Sequence, residues 1–341
     1  AAVSEFDLLV GLEAGSMAIP VDICGTSNQV LVDGSGAREI LSLQRPMPKS
    51  IKISDARFTL INYLGQLIKV RSAIQEFRFI DLFAGIGGMR LGFEPFGGKC
   101  VFTSEWDEQA KDTYEANFGD RPHGDITAID PKDIPDHDIL LAGFPCQPFS
   151  IIGSRLGFAD TRGTLFYSIA QILKVKQPRA ILLENVKQFR THDQGRTCQT
   201  VLNVLGDLGY HTHITVLNAL DFGVPQKRER TFIVGFKEQY PFRFPEKLAF
   251  RACLTDILDS SAENDPKLQG TEYIQKKRLK RAKAQGVKLF SPSIWHENKG
   301  GHLGIHPFSC ALRHNASHNY LMVDGRRRLS GRECLRLQGF P

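Results

Sequence analysis

A chain of 341 residues, 42% hydrophobic and 23% charged, has the balance of a globular protein and length for about two or three domains. Lysine and arginine outnumber aspartate and glutamate by 43 to 37, giving a net charge of +6 and a mild bias toward a polyanionic partner. No apolar run reaches the roughly 18 residues of a membrane span, no basic-then-apolar leader is present, and seven scattered cysteines without a CxxC pair argue against a disulfide framework or zinc cluster and for a reducing cytoplasm.

Residues 1–76 read as an N-terminal extension of short strands and Gly/Ser turns such as Gly34-Ser35-Gly36, without a motif. From 77 to 243 short apolar runs alternate with helix-like segments. Strands are predicted over 79–83, 101–104, 139–142, 180–183, 214–217 and 232–235, and helices over 107–118, 164–176 and 197–208, with Asp107 as an N-cap. Such alternation implies a doubly wound parallel sheet covered on both faces, with ligands beyond the carboxyl ends of its strands. From about 244 the alternation stops. A basic segment over 271–289, including Lys276, Lys277, Arg278 and Arg281, is followed by a Gly/His/Asn-rich stretch over 295–319 with little periodicity.

The motifs fall at the predicted strand ends. "FIDLFAGIGGMRLGF" runs from a strand through a glycine turn into a helix, and Gly85, Gly87 and Gly88 let the backbone approach a ligand. Arg90 stands where a dinucleotide fingerprint needs glycine. Glu105 follows the second strand, placed to accept from ribose hydroxyls, with Trp106 beside it to stack on a purine and Asp125 at the next segment. Each signal is weak alone, and a glycine turn serves structure as often as a ligand. The ordered set points to a nucleoside cofactor.

"GFPCQPFS" places Cys146 between Pro145 and Pro148 after the third strand. A lone cysteine is usually a small buried hydrophobe, but two prolines stiffen this turn and hold the sulfur at the sheet edge, as suits a nucleophile. Glu184 ends an apolar strand, where a carboxylate is partly desolvated and can exchange a proton with a ligand; an N-cap or ion-pair role is the alternative. Arg228 and Arg230, two apart in an extended segment, share one face, which suits a phosphate or base oxygen as well as a solvated edge.

In that order "DLFAGIGG", "GFPCQPFS", "ENV", "QKRER" and "RRLSGRECLRLQGFP" resemble the motifs of bacterial DNA cytosine-5 methyltransferases of restriction–modification systems. The resemblance runs almost continuously over 77–236 and resumes at 327–341. It implies the S-adenosylmethionine-dependent methyltransferase form of the doubly wound sheet, with a smaller target-recognition domain over 244–326 and a return to the catalytic domain over 327–341. Phe83, Gly85, Ile86, Gly87, Glu105, Trp106, Asp125, Ile126, Phe144 and Leu165 match cofactor-holding positions. Cys146, Glu184 and Arg230 match catalytic positions, with Arg228 nearby and Gln147 and Ser150 in the loop that closes on DNA.

The implied reaction transfers methyl from S-adenosylmethionine to C5 of a flipped-out cytosine, leaving S-adenosylhomocysteine, with no metal. The implied partner is double-stranded DNA, contacted at its phosphates by Lys276, Lys277, Arg278 and Arg281 and at its bases from within 295–319. A monomeric, cytoplasmic protein is expected, at the nucleoid when on DNA. A transfer-RNA methyltransferase and a non-catalytic DNA-binding subunit are the alternatives. The family continues past "LQGFP" to a further motif that completes the cofactor pocket, so the reading expects truncation, or a second chain supplying it, and weak cofactor binding by 1–341 alone.

Overall fold

The computed structural model describes residues 76–145, 165–249, 251–298, 300–313, 316 and 319–341. The N-terminal extension, apart from Glu76, and the expected site residues Cys146, Gln147 and Ser150 lie outside them.

The strands are β1 (Phe77–Leu82), β2 (Gly98–Ser104), β3 (Ile139–Gly143), β4 (Ala180–Val186), β5 (His211–Asn218), β6 (Gln226–Lys227) and β7 (Glu229–Phe236), and all but β6 join one sheet, in the order β2-β1-β3-β4-β7-β5. Helices α1 (Gly88–Phe93), α2 (Glu108–Phe118), α3 (Leu165–Lys176) and α4 (Arg196–Asp207) accompany it. The first four strands in that order are mutually parallel, but β7 is antiparallel to both β4 and β5. The wholly parallel sheet expected from the sequence is therefore corrected to a mixed one. The link from β5 to β7 holds only a short 3-10 turn and the two-residue β6, too little for the helix of a parallel crossover.

Alternation along the central strands divides the core. Ile80, Leu82, Leu140, Ala142, Ile181, Leu183 and Ile233 face one side, against Phe166, Ile169 and Leu173 of α3 and Val201, Val204 and Leu205 of α4. Phe79, Leu141, Leu182, Phe232 and Val234 face the other, with Phe93 of α1 and Phe222. Burial on both faces explains why these strands read as nearly continuous apolar runs. Asp107 caps α2 as expected, its Oδ1 accepting from the Ala110 N–H at 2.8 Å, and Gly119 ends the helix in the left-handed region. β1 and β3 are neighbours, with β2 on the outer side of β1. The strand order thus reverses between β1 and β3, and ligands of such sheets bind beyond the carboxyl ends of the strands at that point.

A smaller unit follows. Helix α5 (Glu272–Ala284) packs on strands β8 (Ile294–Glu297), β9 (Leu303–His306) and β11 (Leu321–Val323), antiparallel in the order β11-β8-β9, while β10 (Ser309–Cys310) pairs with β6 of the large unit. These strands have two to four residues each, too few for a period of two to stand out in the sequence. Helix α6 (Gly331–Arg336) opens with a capping box between Ser330 and Glu333. Leu337 after it joins the core of the smaller unit with Leu254, Ile257, Ile294, Leu321 and Val323. Its carbonyl also accepts from the Gln226 side chain at 3.1 Å, so this segment touches both units.

Candidate active site

At the end of β1 the backbone turns through Phe83 at φ 57°, Gly85 at 55° and Gly87 at 90°. An aromatic residue in the left-handed region is strained, and such strain collects at functional sites. Only glycine fits at 87, where an added Cβ would lie 2.1 Å from the Phe118 ring; at Gly85 the space is open. Glu105, at the end of the neighbouring β2, holds this turn. Its Oε2 accepts from the Gly85 N–H at 2.8 Å, and its Oε1 accepts from the N–H groups of Trp106 and Asp107 at 2.9 Å each. The carboxylate that the sequence assigned to ribose binding is the clamp of the glycine turn, and of its acceptor sites one, on Oε2, remains.

Around this clamp the other expected residues gather. Trp106 is 75% exposed. A bridge from Ser104 to His123 brings Asp125 alongside, where its Oδ1 caps the next turn through the Thr127 N–H at 2.9 Å. Ile126 is buried in the core behind it, and the Ile86 carbonyl accepts from Asn117 at 3.3 Å. The Phe144 ring is committed to the core, with ring centroids 5.7 Å from Phe166 and 5.8 Å from Phe189. Leu165 begins α3 and is half-buried.

Two buried groups beneath the turn carried no sequence assignment. Arg90, which breaks the dinucleotide pattern, is buried; it pairs with Glu94 at 2.6 Å and with Asp120, and its guanidinium lies 4.5 Å from the centroid of the Phe118 ring. Asp81 is 1% exposed, no side chain pairs with its carboxylate, and the Arg90 backbone N–H faces it. Burial pushes it up to about 7, against that N–H and then the positive charge of Arg90, with some help from Glu105. The signal in the sequence was a lone acid inside the apolar run "FRFIDLF".

The second half of the site is built by β4 and β7. Glu184 sits opposite Phe232, and Arg230 opposite Val186, so the two side chains are diagonal neighbours on one face. Arg230 Nε donates to Glu184 Oε1 at 2.7 Å, and Arg228 Nη2 lies 3.6 Å from the same oxygen. All three side chains are at least partly buried. Glu184 is also in register with Gly143. A Cβ there would stand 3.7 Å from Glu184 Oε2 and 3.5 Å from the Met89 methyl, so the last residue of β3 lies against the carboxylate. The chain leaves this point through Phe144 and Pro145 toward Cys146.

The basic helix α5 sorts differently from the sequence reading. Lys276 and Lys277 are exposed, Lys276 pairing with Glu272 at 2.6 Å and Lys277 lying 5.8 Å from the Tyr273 ring centroid. Arg278 as a phosphate contact is corrected. It is 3% exposed, donates to the carbonyls of Trp295 and Asn319, and lies 3.5 Å from Glu297. A guanidinium enclosed by its own fold has no face left for DNA. Arg281 also pairs with Glu297, which neutralises much of its charge. Among the described residues no helix is long and apolar enough to cross a membrane, and no group of His, Cys, Asp and Glu could hold a metal ion.

Comparison with known proteins places this geometry in context. The profile of the C-5 cytosine-specific DNA methylase family matches residues 77–341. The Type II methyltransferase M.NgoBI of Neisseria gonorrhoeae is 58% identical over 265 residues, spanning 78% of this chain and 83% of the relative. M.HaeII of Haemophilus aegyptius is 55% identical over 270 residues, spanning 79% and 83%. Among solved structures, the S. pombe Dnmt2 methyltransferase superposes with a TM-score of 0.53 at 22% identity, over 78% of this chain and 87% of that one. The Entamoeba histolytica methyltransferase EhMeth gives 0.55 at 17%, over 78% and 87%. At that identity the likeness is one of fold.

Proposed function

The chain belongs to the C-5 cytosine-specific DNA methylase family, and from that premise we propose that it methylates C5 of a flipped-out cytosine in a specific duplex sequence through a covalent bond from Cys146 to C6. It is a DNA cytosine-5 methyltransferase of the restriction–modification kind; the covalent route and the residue roles are the reading offered here. The observation that carries it is the convergence of Arg228 and Arg230 on Glu184, at the strand end beside the one that leads into Cys146.

The glycine turn supports S-adenosylmethionine as the cofactor. Open space at Gly85, a carboxylate at Glu105, an exposed indole at Trp106 and a second acid at Asp125 suit a ribose and a purine, and Phe83, Ile86, Gly87, Ile126, Phe144 and Leu165 would complete the site, as the family motifs they match imply. When bound, the sulfonium supplies the electrophilic methyl group that C5 accepts, and departs as S-adenosylhomocysteine.

The protein's own residues must make C5 nucleophilic. Thiolate addition of Cys146 to C6 moves the ring electrons toward C5 and N3. Glu184 shares a proton with N3 and accepts from the exocyclic N4–H, while Arg230 holds O2, so charge developing on the ring meets fixed partners. Once C5 carries the methyl group its proton leaves to a base, and the thiolate departs as the ring double bond re-forms. A stacked base is out of reach of these groups, hence the flip. Burial pushes the thiol of Cys100 up to about 12 and those of Cys198, Cys310 and Cys334 upward, so none of these four is a ready thiolate. Gln147 and Ser150 would close over the DNA, and Lys276 and Lys277 would meet its phosphates.

Tritiated methyl transfer to duplex DNA and, separately, to transfer RNA tests this reading. Label in DNA, located at cytosine C5 by bisulfite sequencing, is expected. Label confined to RNA, or absent from both nucleic acids, would overturn it.

A further inference from the structure

One face of the small sheet changes character along its length. Paired strand positions share a face, and the register aligns Ile294 with His306 and Val323, and His296 with Gly304 and Leu321. Ile294, Leu321 and Val323 pack into the core of the smaller unit, while His296 and His306 occupy the outer part of the same face. Gly304 lies between them and is small for a reason: a Cβ there would come within 2.5 Å of the His306 Nε2. The His306 ring is held over that gap by Phe308, nearly parallel at 14° with centroids 5.1 Å apart.

Arg313 meets one of the two imidazoles. Its Nη2 donates to the His296 Nε2 at 3.1 Å, and its guanidinium stacks 5.3 Å from the Tyr320 ring centroid. Because Arg313 can only donate, His296 Nε2 must accept and its proton sits on Nδ1. Arg313 is exposed, and among the described residues no carboxylate pairs with it. Its charge is oriented by a ring and an imidazole without being neutralised. Partial burial lowers the proton affinity of both histidines, aided for His296 by Arg313 and for His306 by Lys227, so each imidazole is a neutral donor and acceptor.

This patch borders the catalytic strand. Cys310, two residues beyond Phe308, pairs with Lys227, the residue before Arg228. A planar fork of N–H donors matches the O6 and N7 edge of guanine, and neutral imidazoles match single donor or acceptor edges.

We propose that Arg313, His296 and His306 are specificity-determining residues that read base edges of the target duplex, Arg313 taking a guanine. The proposal rests on the DNA methyltransferase reading above. Arg278 and Arg281 play a different part: through Glu297 on the opposite face of β8 they fix the sheet that presents the readers.

The experiment is bisulfite sequencing of DNA from cells lacking other cytosine methylation and expressing wild type, Arg313→Ala, Arg313→Lys, His296→Ala or His306→Ala. Kinetics follow on the wild-type target duplex and on duplexes changed at one base pair. The expected result is a methylated motif that relaxes at one base pair, with the kcat/KM preference for the correct pair falling about tenfold or more for Arg313→Ala. Arg313→Lys keeps the charge but loses the fork; it serves if the alanine variant has lost its melting transition, and the same relaxation is expected of it. Preferences unchanged in the folded variants, including an equal loss of rate on every duplex, would show a structural role and overturn the proposal. Failure of the wild type to methylate any duplex cytosine would instead overturn the reading beneath it.

Discussion

Arg230 Nε donates to Glu184 Oε1 at 2.7 Å across the antiparallel pair β4 and β7, and Arg228 approaches the same oxygen at 3.6 Å. The contact holds Glu184 in place before any base arrives, and the other oxygen, Oε2, points toward Gly143, the end of β3. On the proposed route a cytosine entering there would meet a carboxylate and a guanidinium already oriented, leaving little reorganisation for the chemical step.

Substitution should therefore strike turnover more than affinity. Glu184→Gln and Arg230→Ala are each expected to lower single-turnover methyl transfer by about a hundredfold to a thousandfold, with duplex affinity within a few-fold of wild type. The double variant should fall well short of the product of the two losses, because each residue acts through the other. Rapid-quench transfer assays beside equilibrium DNA binding separate these effects.

The glycine turn gives a paired prediction. Gly87→Ala forces a side chain onto a backbone at φ 90° and into the Phe118 ring at 2.1 Å. It should destabilise the fold by about 1–3 kcal/mol and weaken cofactor binding. At Gly88 the nearest atom to an added Cβ is 4.0 Å away, in Phe340. Gly88→Ala should melt within a degree or two of wild type, as denaturation scans will show.

Glu105→Gln tests the clamp. One carboxylate serves three backbone N–H groups, whereas an amide offers a single acceptor oxygen, so either Gly85 or the Trp106–Asp107 pair loses its partner. The expected outcome is a folded protein whose S-adenosylmethionine dissociation constant rises about tenfold or more by calorimetry.

Asp81 makes stability depend on pH. Its folded pKa, raised by burial to about 7 from 3.8, means that the native state holds a proton the unfolded chain releases. The stability this provides is complete below about pH 4 and is lost as pH rises through 7. Asp81→Asn, close to isosteric and always neutral, should flatten that dependence and melt higher than wild type at pH 8. Thermal melts from pH 5 to 8 will read the difference, and parallel curves would refute it.

Much of the candidate site was legible because its residues close strands, where sequence marks them plainly. An acid closing an apolar run gave Glu184 and Glu105, and two arginines in an extended segment gave the face shared by Arg228 and Arg230. What stayed hidden depends on distant packing. Nothing local shows that β7 runs against its neighbours, that the Phe144 ring belongs to the core, or that Asp81 has no side-chain partner. Arg278 was misread because α5 is polar nearly all round, and burial of one arginine among so many lysines leaves only Ala282, four residues on, as a hint of the inward face. The small sheet escaped notice because strands of two to four residues are too short for a period of two to stand out.

The central claim is the covalent step, and 5-fluorocytosine tests it most directly. Fluorine at C5 blocks loss of the C5 substituent, so an adduct formed through C6 cannot collapse. Duplex DNA carrying 5-fluorocytosine at the target position, incubated with S-adenosylmethionine, should give a denaturation-stable protein–DNA complex joined at Cys146 and absent with Cys146→Ser. Methyl transfer by wild type to ordinary duplex without any trapped complex, or a complex that persists in Cys146→Ser, would contradict the account.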